Sequence, residues 1–440
     1  MRSLALLTLF LVYLPPVFVQ PFCGILLWTW FSIMNPHRLV WGIGSAVPYA
    51  FIIALVTVGA WLASKEPKTP PRSVVTFALI GLMITTTLST AFALWPEAAF
   101  DKWQIVIKTL FMCVLSLALL NSKVRLHAFI WVMVLSLGYF GLKGGVFAII
   151  TGGNYRVFGP ESSYIADNNH LALALIMTVP LMHFLQLQSK LYWIRLGLIV
   201  LQLLTLLAAL ASYSRGGLLA LLAMGLLFWW RSPKKIGLSV VAAIIVACVF
   251  TYAPKQWFDR MDTISTYEED GSAMSRIAIW KAGLQIASHF PILGGGFRAT
   301  YSQAIVNQYA PGTEARAVHN SHLELLIENG ALGFFFHLLL LGSTWFSGQR
   351  VRKITKGRSD LKWSRDLAAM LQASLVGYMV GGSFLSLGYY DGWYNLAIAM
   401  AALHVLTLRQ AGLQPKVGIV NSEPESLQPV SSVARSFRRT

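Results

Sequence analysis

The chain has 440 residues, 56% hydrophobic and 12% charged, with a mean hydropathy of +0.60 and a formal net charge of +17. A soluble domain carries about 25% charged residues, and apolar runs of about 20 residues recur here, so composition excludes a water-soluble globule and predicts an all-α, polytopic integral membrane protein. An open sheet facing lipid is excluded too, because its backbone groups would stay unsatisfied in hydrocarbon. The basic excess lies mostly in short loops between apolar runs, where it sets topology and meets anionic membrane lipids, so it does not ask for nucleic acid as a partner.

In chain order about twelve spans fit: 3–34, 46–64, 74–95, 103–121, 125–151, 169–187, 192–212, 216–231, 236–253, 322–347, 365–388 and 392–409. Pro15-Pro16 interrupts the first, and no small-residue cleavage site follows, so it reads as a retained span kinked at the prolines or a re-entrant pair. Alternate loops sort by charge. One set holds Lys65, Lys68 and Arg72, then Lys123 and Arg125, Lys190 and Arg195, and Arg231, Lys234 and Lys235, ending with the basic run from Arg350 to Arg365. By the positive-inside rule these loops and both termini are cytoplasmic. Residues 1–409 then form one transmembrane domain, with the long loop 254–321 outside. Residues 410–440, rich in Ser, Pro, Gln and Arg, read as a disordered cytoplasmic tail. Cys23, Cys113 and Cys248 sit in apolar runs and read as small core residues.

The loop 254–321 is too long for a mere connector. Within it, Ser275 to His289 has helical spacing, with Ile277, Trp280, Leu284 and Ala287 on one face. Gly294-Gly295-Gly296, inside Pro291–Phe297, marks a turn or a close backbone approach. Ser321-His322-Leu323-Glu324 has the S-x-x-E form of a capping box and predicts a helix capped by Ser321. That leaves His319 and Asn320 just outside a helix N-terminus, where free N–H groups and the helix dipole suit phosphate.

The outward side carries more cations than topology asks for, among them Lys102, Arg156, Arg215, Arg276, Arg298 and Arg316. They read as holders of an anionic ligand, or as partners of nearby acids and lipid phosphates. Arg215, in Ser212-Tyr213-Ser214-Arg215-Gly216-Gly217, lies between two apolar spans joined by almost no loop. An arginine at that depth marks function, and its planar fork can grip phosphate oxygens in a bidentate way. His319 is the candidate general base, since a neutral imidazole can take a proton from a hydroxyl. His322 orients or binds. Asp167 caps the span that opens at His170, with a weaker case for substrate contact. His319 and His322 are spaced i, i+3 but no third metal ligand is evident. No Asp-x-Asp pair, Walker loop or dinucleotide fingerprint is present, so neither a metal or other cofactor nor a soluble nucleotide-sugar donor is predicted.

Three of these features together resemble the bacterial O-antigen ligase superfamily. His319-Asn320, nine residues, then Gly330-Ala331-Leu332-Gly333 fits its H-[NSQ]-x9-G-x-x-G pattern. Arg215-Gly216-Gly217 at a span end is similar to its second signature. Arg276 with Trp280, followed by Pro291–Phe297, is similar to the segment before the histidine motif. The resemblance implies a metal-independent, inverting glycosyltransferase of the lipid-linked-sugar (GT-C) type, multi-pass in the bacterial inner membrane, with a periplasmic active site. The donor would be a glycan on undecaprenyl pyrophosphate and the acceptor a sugar hydroxyl of lipid A–core. His319 and Arg215 would be catalytic, and Arg276, Arg156, Asn320, His322, Trp280 and Arg316 would bind substrate. Polymerases and protein O-oligosaccharyltransferases share the superfamily, so a growing glycan or a protein stays open as acceptor. A transporter is the rival of another class, but the breaks and polar residues gather on one face, which argues against alternating access.

Overall fold

The computed structural model describes residues 1–262 and 271–413. It is built of helices, with no strand among the described residues. These are α1 (Arg2–Tyr13), α2 (Pro15–Val19), α3 (Pro21–Met34), α4 (Ile43–Ala46), α5 (Tyr49–Ala63), α6 (Val74–Ala91), α7 (Pro96–Leu119), α8 (Lys123–Ile150) and α9 (Asn168–Gln188). The chain continues through α10 (Tyr192–Leu210), α11 (Arg215–Arg231), α12 (Lys235–Tyr252), α13 (Lys255–Asp262), α14 (Gly271–His289), α15 (Gln303–Tyr309), α16 (Ser321–Ile354), α17 (Lys362–Gly382) and α18 (Asp391–Gln410).

A helix stands at each expected span. Seven segments are long and apolar enough to cross a membrane: α1 with α2, then α6, α7, α8, α9, α10 and α16. At four of the other five positions the helices, α5, α11, α17 and α18, are shorter or less apolar than that. The first span departs from expectation. Leu14 keeps helical angles (φ −71°, ψ −44°), so the chain stays helical through Pro15-Pro16. It breaks at Gln20 (φ −136°, ψ 98°) instead, because Pro21 pushes the residue before it out of the helical region. The expected tail falls outside the described residues from position 414 onward, as do residues 263–270 of the long loop.

The core is organised on α18. Every residue from Asp391 to Leu403 is buried, as befits a helix surrounded by others. It packs against α16, α17 and α7. Trp393 stacks on Tyr378 of α17 at 4.9 Å between ring centroids. The long helix α16 lies against α6 on its other side, and its first residues carry the polar end of the molecule.

Candidate active site

The G-x-x-G of the histidine motif is a break in α16. Gly330 sits at φ 62°, ψ −168°, a conformation essentially closed to other residues. A break inside a buried helix exposes carbonyls that need donors. The Pro291–Phe297 segment supplies them: Gly295 N–H donates to Ile327 O (2.8 Å) and Gly296 N–H to Glu328 O (3.0 Å). In return Ala331 N–H donates to Pro291 O at 2.7 Å. The fit is tight, since a Cβ on Gly330 would lie 2.3 Å from Ile292 O and one on Gly294 2.5 Å from Gly330 N. The glycine run and the histidine motif are thus two halves of one joint.

The cap of α16 is one residue earlier than expected. Asn320, with extended angles (φ −153°, ψ 106°), accepts the N–H groups of His322 and Leu323 on its side chain, both at 3.1 Å. Ser321 is already inside the helix and buried, so it cannot cap. Its hydroxyl instead donates to Leu385 O (2.6 Å) and accepts from Leu387 N–H (2.9 Å), while Glu324 accepts from Gly388 N–H at 3.3 Å. The α17–α18 loop is thereby clasped to the first turn of α16.

That loop in turn holds His319. His319 has φ 50°, left-handed and uncommon for any residue but glycine. Such a conformation persists only where the surroundings over-determine it. Here two side chains pin the peptide that enters it, from both of its polar atoms: Ser386 Oγ accepts His319 N–H at 2.8 Å, and Trp280 Nε1 donates to Val318 O at 2.6 Å. Burial pushes the imidazole pKa from 6.5 down to about 4, aided by the positive fields of Arg276, His170 and Arg316. Arg316 is fixed by its own N–H to Thr300 O (2.9 Å) and by its guanidinium on the Ser275 hydroxyl. Helix α14, which carries Arg276 and Trp280, lies on α16, with Gly283 close against Ile327. Its buried face is Ile279, Ala282, Ile286 and Ala287. Leu284, expected on that face, is 44% exposed, because the contact runs one helical step away from the predicted stripe.

Arg215 opens α11, whose cap is Ser214, accepting Gly217 N–H at 3.0 Å. Its two glycines let neighbours come close: a Cβ on Gly216 would lie 3.1 Å from Phe384, and one on Gly217 3.1 Å from Ala172 of α9. Phe384 belongs to the loop that holds His319. The 152–167 loop docks on the same turn through Val157 N–H to Ala211 O (3.2 Å) and Tyr213 OH to Gly153 O (2.7 Å). Arg156 lies 5.9 Å from the Tyr213 ring. Asp167 caps α9 as expected, accepting Asn169 N–H at 2.8 Å.

The structure therefore groups His319 with Arg276, Arg316, Trp280 and Asn320, and places the Arg215 turn and Arg156 against the same loops. His322 is turned away from them. Its Nδ1 meets His337 Nε2 at 2.9 Å and its Nε2 meets Met379 O at 3.1 Å, so both ring nitrogens are engaged inside the bundle. Sequence reading missed the partners of Lys102. Its ammonium lies 5.2 Å from the rings of both Tyr164 and Tyr389, in electrostatic reach of the buried Glu324 and Glu328. Glu328 Oε1 also accepts Arg298 N–H at 2.8 Å. A lysine two turns into an apolar helix is a signal that could have found this cluster. Ser386, a lone serine in a loop, gave none.

Residues 199–338 match the O-antigen ligase family. Residues 1–190 match a family of unknown function, DUF5935. No curated protein matches the chain. The matched segment contains Arg215, Arg276, the glycine run and His319, while Lys102, Arg156, His170 and Ser386 lie outside it. The match over residues 199–338 is consistent with the O-antigen ligase-type superfamily.

Proposed function

We propose that this protein is an O-antigen ligase. It transfers a glycan from undecaprenyl pyrophosphate to a sugar hydroxyl of lipid A–core, on a GT-C-like helical scaffold, at the periplasmic face of the bacterial inner membrane. The observation that carries the reading is His319: a half-buried imidazole, pinned in a left-handed turn, beside Arg276 and Arg316. An acceptor hydroxyl attacks the anomeric carbon as its proton passes to His319. The new C–O bond forms on the face opposite the breaking bond, and the electron pair leaves with undecaprenyl pyrophosphate, so the anomeric configuration inverts. Arg215, Arg276 and Arg156 meet the charge growing on the leaving oxygens, and no metal is needed for that. Asn320 and Arg316 line the approach of the substrates.

An imidazole held near 4 is neutral at physiological pH but a weak base. The docked pyrophosphate reverses the local field, because its negative charge favours the imidazolium. Neutral His319 is the working form, so activity falls as pH falls. The acid limb of kcat/KM, which reports the free enzyme, should lie near pH 4, and that of kcat above it. A kcat/KM limb near the ordinary histidine value of about 6.5 would contradict this placement of His319.

The test of the function is transfer by the purified protein from lipid-linked glycan to lipid A–core, with chelator present and the product's anomeric configuration read. Glycan on lipid A–core with inverted linkage is expected. Glycan found only on other glycan or on protein would assign the site to a polymerase or a protein glycosyltransferase instead.

A further inference from the structure

The first turn of α9 carries a group that the mechanism above does not use. Asn168 Nδ2 donates to Ser212 O at 2.6 Å, and Ala172 packs on Gly217, so this turn is docked on the Arg215 turn from both sides. His170 lies between those two contacts. It is in electrostatic reach of His319, Arg276 and Lys102. Its Nε2 is buried and has no hydrogen-bond partner in the protein. Buried polar atoms are nearly always paired, and an exception asks for an explanation, such as a ligand.

We propose that His170 is a further substrate-contacting residue, its Nε2–H donating a hydrogen bond to a phosphate oxygen of the lipid-linked pyrophosphate. The proposal rests on the ligase-type reading and adds a fourth element, α9, to its donor site. The chemistry of the neighbours selects the ligand. Two cations, Lys102 and Arg276, face the imidazole, and the acid in reach, Asp167, is occupied as the cap of α9. Among cations a second cation is excluded and an oxyanion is favoured. A neutral imidazole protonated on Nε2 offers one donor there, and hydrogen bonds to charged acceptors are the strong ones. No proton is transferred at His170; it orients the leaving group while His319 handles the proton.

The experiment is equilibrium binding of undecaprenyl pyrophosphate, without glycan or acceptor, to the full-length protein in lipid nanodiscs. Wild type should bind. His170→Leu should weaken binding by about 10–100-fold, the loss of one hydrogen bond to a charged group. His170→Gln, which keeps a donor, should stay nearer to wild type. Should the leucine variant fail to fold, His170→Glu decides against His170→Gln, because a carboxylate of similar size repels phosphate and should abolish binding. Equal affinity of wild type and His170→Leu, or of the Gln and Glu variants, would overturn the role of His170 and leave the ligase reading standing. No binding by wild type would overturn both.

Discussion

Lys102 and Lys123 each sit near the start of a long helix with an aromatic ring by the ammonium. Lys102 lies 5.2 Å from two tyrosine rings, in reach of two buried glutamates; Lys123 is exposed, 4.8 Å from Trp363 alone. The same contrast separates Arg215 from Arg231, which bracket α11. Arg215 opens the turn packed on the His319 loop. Arg231 lies 5.2 Å from the Trp345 ring and donates to Gln372 at 3.1 Å. It also separates Gly330, wedged against Ile292, from Gly357, left-handed at φ 79° with open space around it. At the His319 end, polar groups are turned inward and hold backbone breaks in place. At the other end Lys123 and Gly357 are exposed and Arg231 is partly so; the two cations there supply what topology requires. Residue type does not tell the two ends apart; what each group has been made to support does.

Each pair can be set against itself. Lys102→Met leaves Glu324 and Glu328 buried without their cation, which should cost about 3–5 kcal/mol of stability. Lys123→Met should cost below about 1 kcal/mol, the worth of an exposed cation–π contact. Thermal unfolding in detergent compares them, and equal melting temperatures would erase the distinction. Arg215→Lys keeps the charge but loses the fork, and should lower the ligation rate by about 10²–10³, as deletion of one transition-state donor does. Arg231→Lys should leave the rate within about twofold. Near-normal ligation by Arg215→Lys and Arg215→Ala alike would remove this arginine from the mechanism. Gly330→Ala forces a Cβ into the Ile292 carbonyl in a conformation that alone costs about 1–3 kcal/mol. Gly357→Ala meets only the left-handed penalty of about 1–2 kcal/mol, in free space. Proteolysis of the two variants at rising temperature ranks them; if Gly357→Ala is the weaker protein, the joint between Gly330 and the glycine run is not what holds α16.

Much of this was legible in the chain. Apolar runs placed the helices because burial in lipid demands length and composition that nothing else in a sequence imitates. His319, Arg215, Arg276 and the glycine run were visible as motifs. What the motifs did not say is that they touch one another. The docking of Gly295 on Ile327, the clasp of Ser321 on Leu385 and the pin of Ser386 on His319 each join residues more than thirty positions apart. Periodicity reports only neighbours within a few turns. Local competition explains the smaller misses. Asn320 and Ser321 are both good caps, and the tertiary demand on the Ser321 hydroxyl decided between them. Pro15-Pro16 and Pro21 are all helix breakers in sequence, and only the residue before Pro21 gave way.

The proposed mechanism turns on His319 as the group that takes the acceptor's proton, and His319→Gln tests that directly. Glutamine can still hydrogen-bond an acceptor but cannot serve as a base near neutral pH. Single-turnover transfer by His319→Gln, measured with saturating donor and acceptor, should be about 10²–10⁴-fold slower than wild type while donor binding is retained. Transfer at close to the wild-type rate would show that His319 only positions its substrate, and the proposed mechanism would fail.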